Sequence, residues 1–306
     1  MSDSVPQDVY AASSVRAENP PVDTSGIRTI VVMALMVIVV ALAWEGLKAL
    51  GSANNYALPI GGATLDFTFV NDTQLPHIAA IFGSFVEPAQ RNGPPLAQVL
   101  FSASVVTLGR AVSGFVMGAV LGGLLAILFT HSALLQRGLL PYVVASQTVP
   151  ILAIAPMVVV WMRQAQLPHL AVPVIAAYLT FFPVTIYALR GLTSVPPTSL
   201  ELMRSYAATP LQILWKLRLP NALPHIFTAL KISATASVVG AVIGELPSGL
   251  QDGLGGAILN FNQYYVQSPP RLWATIVAAA VVGILFFVVV AVSERIVVRW
   301  SRNDSD

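Results

Sequence analysis

Apolar positions in this chain gather into long unbroken runs, with neither the strict alternation of half-buried strands nor the striping of soluble amphipathic helices. A bilayer core of about 30 Å needs roughly 20 apolar helical residues to cross it. Six stretches meet that length: 27–50, 101–129, 139–162, 170–189, 226–246 and 272–298. The first contains an uninterrupted apolar run over 30–44. Runs of this kind favour helices over barrel strands, which would alternate outward and inward residues. The pattern therefore predicts an all-α integral membrane fold of six transmembrane helices. Between the spans, residues 51–100 mix Gly, Pro and Asp with a short amphipathic helix over 77–86.

Composition narrows the classes further. Of 306 residues, 56% are hydrophobic and 10% charged, against roughly 25% charged in a soluble domain. So few charges cannot cover a water-facing surface, and an ordinary soluble enzyme is excluded. With no cysteine, disulfide frameworks, thiolate metal sites and cysteine nucleophiles are excluded together. The histidines (His77, His131, His169 and His225) fall on separate segments without metal spacing, so no metal site is expected. A net charge of +2 gives no reason to expect nucleic acid. Nor is there a G-x-x-x-x-G-K-[ST] loop to cradle nucleotide phosphates. Residues 1–26 are polar, with Pro20, Pro21 and four acids against Arg16. They read as a disordered tail ahead of an uncleaved first span, since the apolar core is too long for a signal peptide. Residues 27–300 then form the membrane domain and 301–306 a short second tail.

Basic residues set the orientation. With the N-terminus inside, the cytoplasmic segments hold Arg16, Arg28, Arg137, Arg190, Arg204, Lys216, Arg218, Lys231, Arg295, Arg299 and Arg302. The other side holds Lys48, Arg91, Arg110, Arg163 and Arg271. Eleven against five places both termini in the cytoplasm.

The long basic cytoplasmic segment, 190–225, reads as two short helices. Thr198-Ser-Leu-Glu201 and Thr209-Pro-Leu-Gln212 each fit the box in which a hydroxyl caps a helix start and an acid or amide answers it. The first helix runs to about Tyr206, and Ala207-Ala208 connects it to the second. The second is expected to stop near Leu219, because Pro220 disfavours the helical conformation just before it. Leu200, Met203 and Tyr206, then Leu211, Leu214 and Trp215, give the pair an apolar side, with Arg204, Lys216 and Arg218 close by. Physics alone leaves two readings open: a helical pair lying in the lipid headgroup layer, or a docking surface for a soluble protein.

Glu201-Leu-Met-Arg-Ser-Tyr-Ala207, followed by Leu217-Arg-Leu-Pro220, resembles the EAA loop of bacterial ABC importer permeases. Glu201, Leu217, Leu219 and Pro220 match the pattern. Leu202 and Met203 replace its two alanines, and Ala207 stands where it has glycine. An alanine there weighs against a left-handed turn, since only glycine adopts positive φ without cost. Other segments carry the same resemblance. Pro150-Ile-Leu-Ala-Ile-Ala-Pro156 with Trp161, Phe182-Pro183 with Leu189-Arg-Gly-Leu192, and Gly244-Glu245 ahead of Gly253-Leu-Gly255 are similar to the nitrate/sulfonate/taurine-type importers. The ordered set covers about 99–300. The resemblance implies a type I ABC importer (MetI-like) transmembrane fold, in a bacterial inner membrane. It also implies a homodimer of permeases, two cytoplasmic ATPase subunits that hold ATP and Mg, and an extracytoplasmic binding protein that delivers the solute. This chain would then carry no cofactor and perform no catalysis. By the same resemblance Glu201, Arg204, Ser205, Tyr206, Ala207, Ala208, Thr209, Leu217, Leu219 and Pro220 couple to the ATPase. For Glu201 a capping role alone would also explain the glutamate.

Within the spans, Gly114-x-x-x-Gly118-x-x-x-Gly122 offers a face on which another helix backbone can approach closely. Ser233, Ser237 and Ala241 form a small-residue row, read equally as packing or as the wall of a path. Gln147 and Thr148 stand beside Pro150, with Pro156 a turn and a half on, marking either a translocation path or a structural kink. Glu245, at the outer end of its span, is either a gate residue pairing with Arg163 or Arg110, a contact for the binding protein, or a solvated helix-end carboxylate. Asn260, Asn262, Gln263, Tyr264 and Tyr265 follow in what reads as an outer loop. Glu45 and Lys48 read as a local ion pair. An ion-coupled secondary carrier would need ionisable residues in mid-span; the third, fourth and sixth stretches have none at their centres. A passive channel or scaffold leaves the capped helical pair unexplained. No basic cluster lies within the spans, which favours a neutral or weakly polar solute.

Overall fold

The computed structural model describes residues 25–53, 56–60, 63–66 and 68–298. The expected tails lie outside them, with Arg16, Arg299 and Arg302, except that Ser25 and Gly26 open the first helix. The chain divides into two units at Phe67/Thr68. The first comprises α1 (Ser25–Ala53) and a two-stranded antiparallel hairpin, β1 (Ala57–Ile60) with β2 (Ala63–Asp66). No strand was expected in this stretch, which lacks alternation; four residues per strand leave the all-α class intact.

The second unit is a helical bundle. Its elements are α2 (Ile78–Ser84), α3 (Leu96–His131), α4 (Ala133–Ser146), α5 (Ile151–Gln164) and α6 (Ala171–Thr193). There follow α7 (Pro197–Ser205), α8 (Pro210–Ile213), α9 (Leu219–Ser248), α10 (Leu254–Gln263) and α11 (Pro269–Val297). Among the described residues five helices are long and apolar enough to cross a membrane, and a sixth span arises if α4 and α5 count as one broken crossing.

Glycine sets the central contact. A Cβ on Gly114 would lie 2.6 Å from the Pro173 carbonyl oxygen, one on Gly118 2.7 Å from that of Ala177, and one on Gly122 2.5 Å from that of Phe181. Three glycines four residues apart thus let α3 lie directly against the α6 backbone, with the two helices parallel. α9 packs on α6 as well, Gly240 against Ala176 and Gly244 against Val172, so it runs antiparallel to α6. α11 returns beside α9 and α3, where Phe115 and Phe286 meet edge to face at 5.1 Å.

Three expectations need correction. The stretch 139–162 is two 14-residue helices bent by 100°, not one kinked span. Pro150 cannot donate at the break, and Ser146, Gln147 and Thr148 turn the chain there. The box at Thr198 is not formed: Pro196 is the N-cap and Pro197 the first helical residue, without a side-chain cap. Proline's fixed φ starts the helix before Thr198 can cap it. The second helix does not stop at Leu219. A π-helical turn over Leu214–Arg218 carries α8 directly into α9. The wider turn accommodates Pro220, so 210–248 is one continuous helical rod.

Candidate functional site

The two ends of this bundle are built from opposite kinds of chemistry. At one end, α6 leaves the bundle, α7 and α8 form a protruding pair, and α9 returns. The capping box at Thr209 is complete: Gln212 N–H donates to Thr209 Oγ1 at 3.3 Å, and Thr209 N–H donates to Gln212 Oε1 at 2.8 Å. Tyr206 caps α7, and Ala207 takes φ +52°. The left-handed turn therefore forms despite the alanine. It is held by Ala207 N–H to the Arg204 carbonyl (2.9 Å) and Ala208 N–H to that of Met203 (3.0 Å). The pair is fastened to the bundle at its base. Asn221 Nδ2 donates to Ser194 Oγ at 2.9 Å, and Arg218 Nη1 donates to the Thr130 carbonyl at 3.4 Å. Leu214 and Ile213 are buried, Leu214 within a cluster that includes Phe129 and Leu192.

What remains outward includes four large apolar side chains. Tyr206 is 78% exposed, Leu211 63%, Trp215 62% and Leu202 58%. Glu201, Arg204, Ser205, Ala207 and Thr209 are exposed around them, while Ala208, Leu217, Leu219 and Pro220 are half-buried. Glu201 is no part of a capping box, because the box it would close is absent.

At the far end Glu245 is completely buried, which corrects its reading as a solvated helix-end carboxylate. Thr107 Oγ1 donates to it at 3.0 Å, Arg110 Nη1 at 2.7 Å and the Gly255 backbone N–H at 2.8 Å. Arg110 also reaches Asp252 through Nη2 at 2.8 Å, and Thr107 accepts from Leu254 N–H at 2.8 Å. A Cβ on Gly253 would collide with the Glu245 carboxylate, and one on Gly255 would stand 2.6 Å from the Glu245 Cβ. The Gly244-Glu245 and Gly253-Leu-Gly255 signatures are thus one constellation: a buried acid and the side-chain-free backbone that folds over it. Arg163, the other expected partner, instead donates to the Ser248 carbonyl at 2.6 Å. Thr107 and Asp252 were not legible as site residues. The only hint was that Thr107 lies three residues before Arg110, on the same helix face.

The remaining expected residues separate. Gln147, Thr148 and Pro150 are exposed at the α4–α5 break, where Thr148 Oγ1 donates back to the Ala145 carbonyl at 2.7 Å. Tyr178 from α6 donates to the Ser146 carbonyl there. Pro156 lies exposed inside α5. Ser233 and Ser237 are completely buried; Ser233 donates to the Thr180 carbonyl at 3.3 Å and Ser237 to that of Ala234 at 2.8 Å. Asn260, Asn262 and Gln263 belong to α10, a helix where a loop was expected. Among the described residues no group of His, Asp or Glu is placed to hold a metal ion.

Comparison with known proteins adds the family. The profile of the binding-protein-dependent transport system inner membrane component matches residues 114–302. A formylaminopyrimidine transport permease protein of Halalkalibacterium halodurans is 32% identical over 205 residues, 67% of this chain and 80% of its own. The riboflavin transport system permease protein of Chloroflexus aurantiacus is 27% identical over 75% of this chain and 81% of its own. A putative aliphatic sulfonates transport permease protein of Bacillus subtilis is 30% identical over 68% and 73% respectively. The match spans the glycine contact, the protruding pair and the buried acid, and the chain belongs to the family of binding-protein-dependent transport inner-membrane components: a multi-pass permease subunit of an ABC importer of the nitrate/sulfonate/taurine type, working with a separate ATPase and a binding protein.

Proposed function

We propose that the protruding pair α7–α8 is the surface through which the ATPase drives this permease. The observation that carries this reading is the joint exposure of Leu202, Tyr206, Leu211 and Trp215 on a pair whose base is tied to the bundle. Exposed aromatic and aliphatic groups ringed by Arg204 and Lys216 suit a groove on a soluble partner. The π-turn makes the surface continuous with α9, so a displacement of Trp215 is passed along the rod toward Glu245. On this reading Glu201, Arg204, Ser205, Tyr206, Ala207, Ala208 and Thr209 meet the ATPase, and Leu217, Leu219 and Pro220 transmit its motion. ATP and Mg sit on the partner. Two permease copies and two ATPase subunits make the working unit, with both termini of this chain and the α7–α8 end in the cytoplasm.

The buried Glu245 assembly then locks the outer end. The path runs past the α4–α5 break with Gln147, Thr148, Pro150 and Pro156, while Ser233 and Ser237 serve the α6–α9 contact. A neutral or weakly polar solute fits spans without a basic cluster, and relatives named for formylaminopyrimidine and riboflavin accord with that. The test is copurification and uptake. Tagged chain should bring down an ATPase subunit, and replacement of Glu201 or of the 207–209 turn should abolish uptake. Absence of any ATPase, with uptake indifferent to those changes, contradicts the reading.

A further inference from the structure

The continuous rod 210–248 carries Trp215, exposed, near its start and Glu245, buried, near its far end. Between them Lys231 is tied sideways: its Nζ donates to Glu294 Oε2 on α11 at 2.7 Å. At 1.5 Å per helical residue, Lys231 stands about 24 Å from Trp215 and about 21 Å from Glu245. The pair therefore divides the rod into two arms of similar length. Both side chains are largely withdrawn from the surface, Lys231 at 25% exposure and Glu294 at 23%. The hydroxyls of both helices near this level turn back on their own backbones. Thr228 and Thr235 donate to carbonyls of α9, and Thr275 and Ser293 to carbonyls of α11. The buried residues of α11 leading up to Glu294, which are Val282, Gly283, Phe286 and Val290, are apolar or lack a side chain. Packed helices of this kind slide past one another by small amounts. A short ion pair between two charged side chains instead holds one register, and that is its best-attested use, since apolar residues of similar volume commonly give equal stability.

We infer that Lys231 and Glu294 are a positioning pair, the pivot about which α9 tilts against α11 when the α7–α8 end is displaced. Without the pair, that displacement is taken up as sliding of α9 along α11. With it, motion at Trp215 reaches Glu245 as a change of tilt. The inference rests on the coupling reading of α7–α8 and deepens it, by naming the point on the rod where the motion is turned.

The complex of permease, ATPase and binding protein is assembled in lipid nanodiscs with spin labels on Val239→Cys and Ile276→Cys. Both side chains are exposed, the first on α9 beyond the pair and the second on α11. Labelled chain is diluted with unlabelled chain, so that each distance is read within one copy. With the native pair, trapping by ATP, Mg and vanadate should shift the label-to-label distance. The shift should be lost in Lys231→Met with Glu294→Met, while the unfolding midpoint of that chain does not fall. It should return in the exchanged pair, Lys231→Glu with Glu294→Lys, and persist in Lys231→Arg, which keeps the charge. Recovery of the ATPase on the same chains reads the coupling surface separately. If the native chain recovers no ATPase, the α7–α8 reading fails and the pivot with it. If the ATPase is recovered, three results overturn the pivot alone: no shift with the native pair, an undiminished shift in the methionine pair, or no shift in either charge-keeping chain.

Discussion

The α7–α8 end and the Glu245 end differ in where their polar and apolar groups are satisfied. Around Glu245 every strong donor and acceptor finds its partner inside the chain: a carboxylate with no exposure takes Thr107, Arg110 and Gly255, and Asp252 takes the rest of Arg110. Around Tyr206 backbone hydrogen bonds hold the turn, and large apolar side chains are left outside beside the exposed Glu201 and Arg204. A buried ion pair is costly to form and more costly to break. An exposed aromatic patch rimmed by polar groups gains when a partner covers it. On the proposed reading, one end stays shut as a unit and the other is completed by a second protein.

Substitutions can break that contrast in graded steps. The largest effect falls on the shut end. Glu245→Ala removes the buried acceptor of Thr107 and one of the two carboxylates on Arg110, which keeps Asp252, at a cost of about 3 kcal/mol, and denaturation in detergent should show a clearly lowered unfolding midpoint. Glu245→Gln, which keeps an acceptor for Thr107, should lose visibly less. Next comes the contact that both ends share. Gly118→Leu drives a side chain into the Ala177 carbonyl, and overpacking of this kind costs about 1–3 kcal/mol. The same change at Gly123, which has nothing within 4 Å, should leave the unfolding midpoint almost unmoved. At the open end the effects are small. Ala207→Gly relieves a left-handed backbone and should raise stability by about 1 kcal/mol, seen as a modest rise in melting temperature. Smallest of all, Tyr206→Ser with Trp215→Ser should shift stability by less than about 0.5 kcal/mol while reducing recovery of the ATPase severalfold in copurification. A large stability loss from that pair would show the aromatic groups to be packed rather than presented.

Particular residues show how far the sequence reaches. Spacing alone marked Gly114, Gly118 and Gly122 as a close-approach face, and the structure places all three against α6. The Thr209 box formed because Pro210 and Gln212 agree with it locally; the Thr198 box failed because Pro196-Pro197 started the helix first. Proline signals were ambiguous in both directions. Pro150 reads as a kink and yields a 100° break, whereas Pro220 reads as a stop and is absorbed by a π-turn. Local rules say where a helix is perturbed, and packing decides by how much. Glu245 was the least legible. Its partners come from positions 138 and 135 residues away, and from backbone N–H groups that leave no trace in residue identity.

The proposed coupling requires the ATPase to cover α7–α8, and the chain's lack of cysteine permits a direct measurement. Single cysteines are introduced as Tyr206→Cys and, at the opposite end, as Tyr264→Cys, which is 59% exposed. Each is oxidised in membranes against an ATPase subunit carrying one cysteine in its permease-facing groove. Cross-linking from position 206, altered by ATP and absent from position 264, is the predicted result. Cross-linking from 264, or none from 206 while the complex still forms, would contradict it.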